Sequence, residues 1–157
     1  MPSRRGEAGV SGELDPHAGR PESVLRTDFK VLQINEYLAN RPEELDPRVG
    51  FPFVGRQSSI KTFCITGTPS DDGYLLLTYA FAKGAGHIIK INDRVLPWVD
   101  ILPSTEPSTH LKPIESQFLV PGLNTLQIVL NGPALLVYYA VVHWRALDYS
   151  PPPAVHP

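Results

Sequence analysis

Proline and glycine limit this chain more than any other feature of its sequence. Seventeen prolines and twelve glycines together make 29 of its 157 residues. An interior proline removes a helix hydrogen bond and costs about 3 kcal/mol. Breakers at this density exclude a helical bundle and favour short strands joined by turns. The length suits one domain and is short for two. A hydrophobic content of 42% can form a core.

The distribution of breakers divides the chain. Residues 1–23 hold three prolines, four glycines and no aromatic residue, so they bury too little to offset ordering entropy and are expected to form a disordered arm. Residues 148–157 (DYSPPPAVHP) are expected to form an extended, proline-rich tail. Between them, 24–147 carries the β-branched and aromatic residues of a folded domain. Strands are expected at 24–34, 59–66, 74–82, 87–92, 95–101, 114–120, 125–130 and 135–145, with 35–57 an irregular connection that includes a helical turn at Glu43-Glu44-Leu45. Turn residues recur every 8–12 positions or so, as in a sandwich or barrel.

Side-chain alternation supports this reading. Leu126, Ile128 and Leu130 share one strand face, with Thr125 and Gln127 on the other. Leu75, Leu77, Tyr79 and Phe81 form the more apolar face of their strand. The last strand differs: Leu136, Tyr138, Ala140, Val142 and Trp144 alternate with Leu135, Val137, Tyr139 and Val141. With both faces apolar, it is expected to be central, or covered on its outer face by the 35–57 connection or a partner.

Charge and cysteine use bound the function. Fourteen Lys+Arg against sixteen Asp+Glu give a net charge of -2, with no basic stripe, so no nucleic-acid or membrane partner is expected. The lone cysteine, Cys64, has no disulfide partner and reads as a small strand hydrophobe. The N-terminus has charges throughout and no apolar stretch like that of a signal peptide. The longest apolar piece of the uncharged run 116–144 is 134–142, too short for a membrane helix. These features point to a cytoplasmic protein, or part of a particle released from the cell.

Chemistry-bearing motifs are scarce. Gly84-Ala85-Gly86 begins like a dinucleotide fingerprint but leads into a strand, so a hairpin turn is the better reading. The histidines at 17, 87, 110, 143 and 156 lack metal-ligand spacing, and His143, beside Trp144, reads as a packed histidine. Asp71-Asp72-Gly73 offers oxygen ligands for calcium but has no further acid nearby, which favours a solvated hairpin tip. No catalytic residue, cofactor or metal site is expected. The candidate ligand-binding residues are Trp98, Asp93, Asp100 and Tyr74. Asp93 and Asp100 flank Trp98, whose indole either stacks on a sugar ring, anchors a protein partner or closes one end of the core. Tyr74 is likewise read as either a recognition residue or a core residue.

The segment Ile88-Ile89-Lys90-Ile91-Asn92-Asp93-Arg94-Val95-Leu96-Pro97 resembles a hairpin of galactose-binding-like jelly rolls and related carbohydrate-binding modules. Asp93 takes the place of the usual turn glycine. Phe118–Ile128 is similar to that fold's strand, Gly/Asn turn and strand, and 134–145 to its closing strand. The resemblance implies an all-β jelly-roll β-sandwich of about eight antiparallel strands, and it transfers no ligand contact. Two functions follow as expectations. One is a non-catalytic structural or interaction protein within a larger assembly, such as a phage-tail-like or capsid-associated particle, with a protein partner or second copy. The other is glycan recognition through exposed aromatic residues. A hydrolase would need an acid pair or triad that no motif supplies.

Overall fold

A computed structural model describes residues 22–44 and 50–150. Most of the arm and the tail beyond position 150 lie outside the described residues, as does Leu45. The described residues form ten strands: β1 (Glu22–Ala39), β2 (Phe53–Gly55), β3 (Lys61–Ile65), β4 (Thr68–Pro69), β5 (Gly73–Lys83), β6 (Ile88–Ile91), β7 (Arg94–Val95), β8 (Ser108–Ile114), β9 (Gly122–Val129) and β10 (Ala134–Ser150). One sheet has the order β2-β1-β10-β5-β8, with β4 also on β10, and the other the order β3-β9-β6-β7. Set aside the short β2 and β4, and eight strands remain. In chain order, the first sheet then holds the first, eighth, third and sixth, and the second holds the second, seventh, fourth and fifth. That is the jelly-roll β-sandwich. Its pairings are antiparallel; β2 alone lies parallel, against β1.

The alternation read from the sequence builds the core. Leu32, Ile34 and Leu38 of β1, Leu75 and Leu77 of β5, and Val137, Ala140, Val142 and Trp144 of β10 face inward. Opposite them lie Phe63 and Ile65 of β3, Ile89 and Ile91 of β6, and Leu126, Ile128 and Leu130. β10 is central, as its two apolar faces require. The 50–53 part of the connection covers one end of its outer face, where Phe51 and Phe53 pack on Tyr37, Ala39, Ala80, Leu136 and Tyr138. Bulges in β1 and β10 mark this end.

Four expected elements are corrected. The connection expected at 35–57 starts later, since β1 runs on through Ala39, and it contains the short strand β2. The strand expected at 95–101 ends at Val95, and the residues after it form a loop. The strand expected at 114–120 is instead a 3-10 turn, Ser116–Phe118. The polar loop expected before it contains β8, an edge strand whose burial alternates to Ile114. An edge strand tolerates Pro113 because its outward N–H has no ladder partner to lose. Proline therefore does not mark only strand ends, and Pro69 likewise sits inside the short β4.

The hairpin between β6 and β7 turns through Asn92 (φ 52°) and Asp93 (φ 61°). Two left-handed residues in a two-residue loop are the type I′ pattern, which Asn and Asp adopt more readily than most side chains. Asp93 can thus replace glycine. The Asn92 side chain continues inward: its Oδ1 accepts the Thr125 amide at 2.9 Å, and its Nδ2 donates to the Phe118 carbonyl at 2.9 Å. Nearby Asn124 is 0% exposed.

Candidate functional site

Strand alternation places every second residue of the first sheet on its outer side, and register then aligns those residues in rows. Phe29 of β1 lies opposite His143 of β10, His143 opposite Tyr74 of β5, and Tyr74 opposite Pro113 of β8. The next row is Val31, Val141, Leu76 and Leu111. These two rows are wholly apolar or aromatic apart from one imidazole. They are also open to solvent: Phe29 and Leu111 are each 57% exposed and Val31 is 41% exposed.

The first row is ordered by ring stacking. Tyr74 lies on His143 with centroids 4.4 Å apart and planes at 15°. Phe29 lies on the other side of the imidazole at 5.5 Å and 26°. His143 is thus a packed histidine, but it is packed on the outer face. Towards β8 the face dips into an open groove of about 570 Å³ lined by Tyr74, Leu76, Leu111 and Pro113, with Asp71 and Asp72 at its rim.

Polar residues border the apolar rows on both sides. On one side, Thr27 pairs across to Arg145, whose guanidinium meets Asp72 at 3.4 Å. Asp71 accepts the Ser116 amide at 2.8 Å, and hydrogen bonds from the Ser116 side chain and backbone hold its carboxyl below the usual aspartate value. Both acids of the Asp71-Asp72-Gly73 turn therefore have partners within the protein. Among the described residues, no group of three or more His, Cys, Asp or Glu is placed to hold a metal ion. On the other side lies the neutral row Gln33, Tyr139, Thr78 and Thr109.

The four residues expected to bind ligand are spread over the molecule. Tyr74 lines the groove of the first sheet. Asp93 sits on the second sheet's hairpin, 3.6 Å from Lys90, and borders a smaller cleft with Ile60, Thr125 and Gln127. Trp98 and Asp100 lie on the loop between β7 and β8. Trp98 is 91% exposed, which removes the alternative in which it closes the core. Leu96 and Ile101 are buried in the core, with Val99 packed against it. Trp98 itself holds a left-handed backbone, φ 58°, which is unusual for a bulky residue. The Tyr79 hydroxyl anchors this loop by donating to the Leu102 carbonyl at 3.2 Å; burial raises the pKa of that hydroxyl.

Most of the outer face escaped the sequence reading. Phe29, Val31, Leu76, Val141 and Leu111 were not among the expected site residues. The apolar second face of β10 was the signal that could have found them.

A family model described as a family of unknown function (DUF7383) matches residues 26–146. The chain belongs to the DUF7383 family. The matched span contains both apolar rows and the Trp98 loop of this DUF7383 domain. No curated protein matches the chain. Among solved structures, dimeric latent PorU from Porphyromonas gingivalis is similar at a TM-score of 0.44 and 11% identity, over 82% of this chain. The DUF7383 chain spans 13% of the length of that PorU chain. No helix among the described residues is long and apolar enough to cross a membrane.

Proposed function

We propose that this chain is a non-catalytic interaction module that serves as a subunit of a larger protein assembly and docks through the outer face of its first sheet. The observation that carries this reading is the pair of uncovered rows Phe29–His143–Tyr74–Pro113 and Val31–Val141–Leu76–Leu111. The uncovered end contrasts with the end that Phe51 and Phe53 cover within the chain itself. Apolar rows left open on a sheet gain free energy on being covered, about 25 cal/mol per Å² of apolar surface removed from water.

A second reading rests on a different observation. Trp98, 91% exposed and held with φ 58°, presents its indole in the way a sugar-stacking residue does, with Asp100 two residues away. This is the carbohydrate-binding reading that the galactose-binding-like resemblance implies.

Two variants separate the readings. Val31→Glu/Leu111→Glu places charges on the sheet face, and Trp98→Ala removes the indole. Gentle purification of the tagged full chain is expected to recover a stoichiometric protein partner or a homo-oligomer, lost in the double variant and retained in Trp98→Ala. A partner kept by the double variant removes the assignment to this face. A glycan-array signal lost only in Trp98→Ala replaces it with the second reading.

A further inference from the structure

Resting on the interaction reading above, we infer that the occupant of the outer face is a second copy of this chain, packed sheet against sheet about a two-fold axis. The shape, size and charge of the face support this occupant. An open four-stranded face is the surface that another sheet covers, at a spacing of about 10 Å, and a two-fold dimer needs one patch that complements itself. Strands β1, β10, β5 and β8 span the rows of Phe29, Val31 and Gln33, and β1, β10 and the short β4 continue the sheet to Leu25. With strands ~4.8 Å apart and same-face rows ~6.8 Å apart, the face covers on the order of 500 Å² in projection. A corrugated side-chain layer has a larger accessible area than its projection, which brings the face towards the ~800 Å² per partner of a standard interface.

Charge favours a copy over a partner of opposite charge. Among the described residues, the charges Arg145, Asp71, Asp72 and Glu115 border the apolar rows on one side, and Arg145 already meets Asp72. The opposite border, Gln33, Tyr139, Thr78 and Thr109, is neutral. A two-fold axis lying along the rows sets the charged border of one copy over the neutral border of the other. No like charges then meet, whereas like-charge juxtaposition disfavours wrong partners. A net charge of -2 adds little long-range repulsion between copies.

Sedimentation equilibrium of the full chain from about 1 to about 500 µM tests this, since a standard-sized interface spans micromolar and tighter affinities. The expected result is a monomer–dimer equilibrium whose dissociation constant rises at least tenfold in Val31→Glu/Leu111→Glu and is unchanged in Trp98→Ala. Far-UV circular dichroism and thermal melts establish that the variants fold. Leu76→Lys is the replacement should the double variant fail to do so. A dimer indifferent to all face substitutions overturns the inference, as does a chain that stays monomeric throughout. In the monomeric case the dye anilinonaphthalene sulfonate separates the two claims. Binding by the native chain that the double variant loses leaves the interaction reading standing with another occupant. No binding by the native chain removes both.

Discussion

The Tyr74 ring lies on the His143 imidazole with centroids 4.4 Å apart and planes 15° from parallel. Such stacks contribute about 0.5–1.5 kcal/mol beyond area burial, so this row is ordered without being covered. The exposed neighbours Val31 and Leu111 contribute little to folding. Val31→Glu and Leu111→Glu are each expected to change unfolding free energy by no more than about 0.5 kcal/mol, whereas Tyr74→Ala costs about 1 kcal/mol or more. Urea denaturation at low protein concentration measures both effects apart from any association.

A pair of side-chain amides secures one end of the sandwich. Asn92 Nδ2 donates to Asn124 Oδ1 at 2.8 Å, and Asn124 also accepts the Val120 amide and donates to the Val120 and Gly122 carbonyls. Asn124→Ala removes four hydrogen bonds from a side chain that is 0% exposed. Asn92 Nδ2 keeps the Phe118 carbonyl, however, and the Val120 and Gly122 groups are reached by water. Each buried unsatisfied group costs about 1–3 kcal/mol, so a loss of about 2 kcal/mol is expected in urea unfolding. A loss below about 1 kcal/mol would show that the pair does not brace this end.

The pH dependence of stability is set in part by two histidines. His87, 1% exposed, accepts the Asn131 amide at Nδ1, and burial lowers its pKa against a raising effect from the Lys83 backbone. Burial also lowers the pKa of His110, opposed by Asp100 and aided by Lys112. A folded-state value below the ordinary imidazole value means that the unfolded chain binds protons first as pH falls. Their contribution is full above about pH 6.5 and is lost as pH falls through the lowered folded-state values. The urea midpoint is expected to fall on acidification from about pH 7 to about pH 5, with a shallower fall in His87→Gln/His110→Gln. An equal slope in the double variant would assign the effect elsewhere.

Trp98 combines exposure with a left-handed backbone. Removing its side chain forfeits almost no burial, so Trp98→Ala is expected to stay within about 0.5 kcal/mol of the parent. Glycine tolerates φ 58° without the Cβ clash that alanine retains. Trp98→Gly is therefore expected to be more stable than Trp98→Ala by about 1 kcal/mol. Equal stabilities would mean that the loop relaxes once the indole is gone.

The sequence made the core strands legible because their burial follows a simple period. Leu126, Ile128 and Leu130 are buried, and Thr125 and Gln127 are half-buried, as alternation requires. β8 was hidden because an edge strand in Ser-Thr-His-Leu-Lys-Pro-Ile buries only part of one face and carries a proline. The reverse error came from 114–120, whose apolar Phe118 and Leu119 are buried from a 3-10 turn rather than a strand.

The candidate site was less legible than the fold. Of its residues, Tyr74 was singled out from the sequence, and His143 was read as packed without its face being known. A cross-strand row joins positions 29, 143, 74 and 113, far apart in the chain and adjacent only once register is fixed. The sequence left Trp98 open between recognition and core for a related reason: an apolar loop residue is assigned only once Leu96 and Ile101 are seen to fill the core place.

The central claim is that the outer face of the first sheet is where this chain docks on itself. Amide chemical shifts recorded on dilution of the isotope-labelled full chain test it most directly. The account predicts concentration-dependent shifts clustered on Phe29, Val31, Tyr74, Leu76, Leu111 and Val141. Spectra that do not change with concentration, or changes clustered around Val95, Trp98 and Leu102, would contradict it.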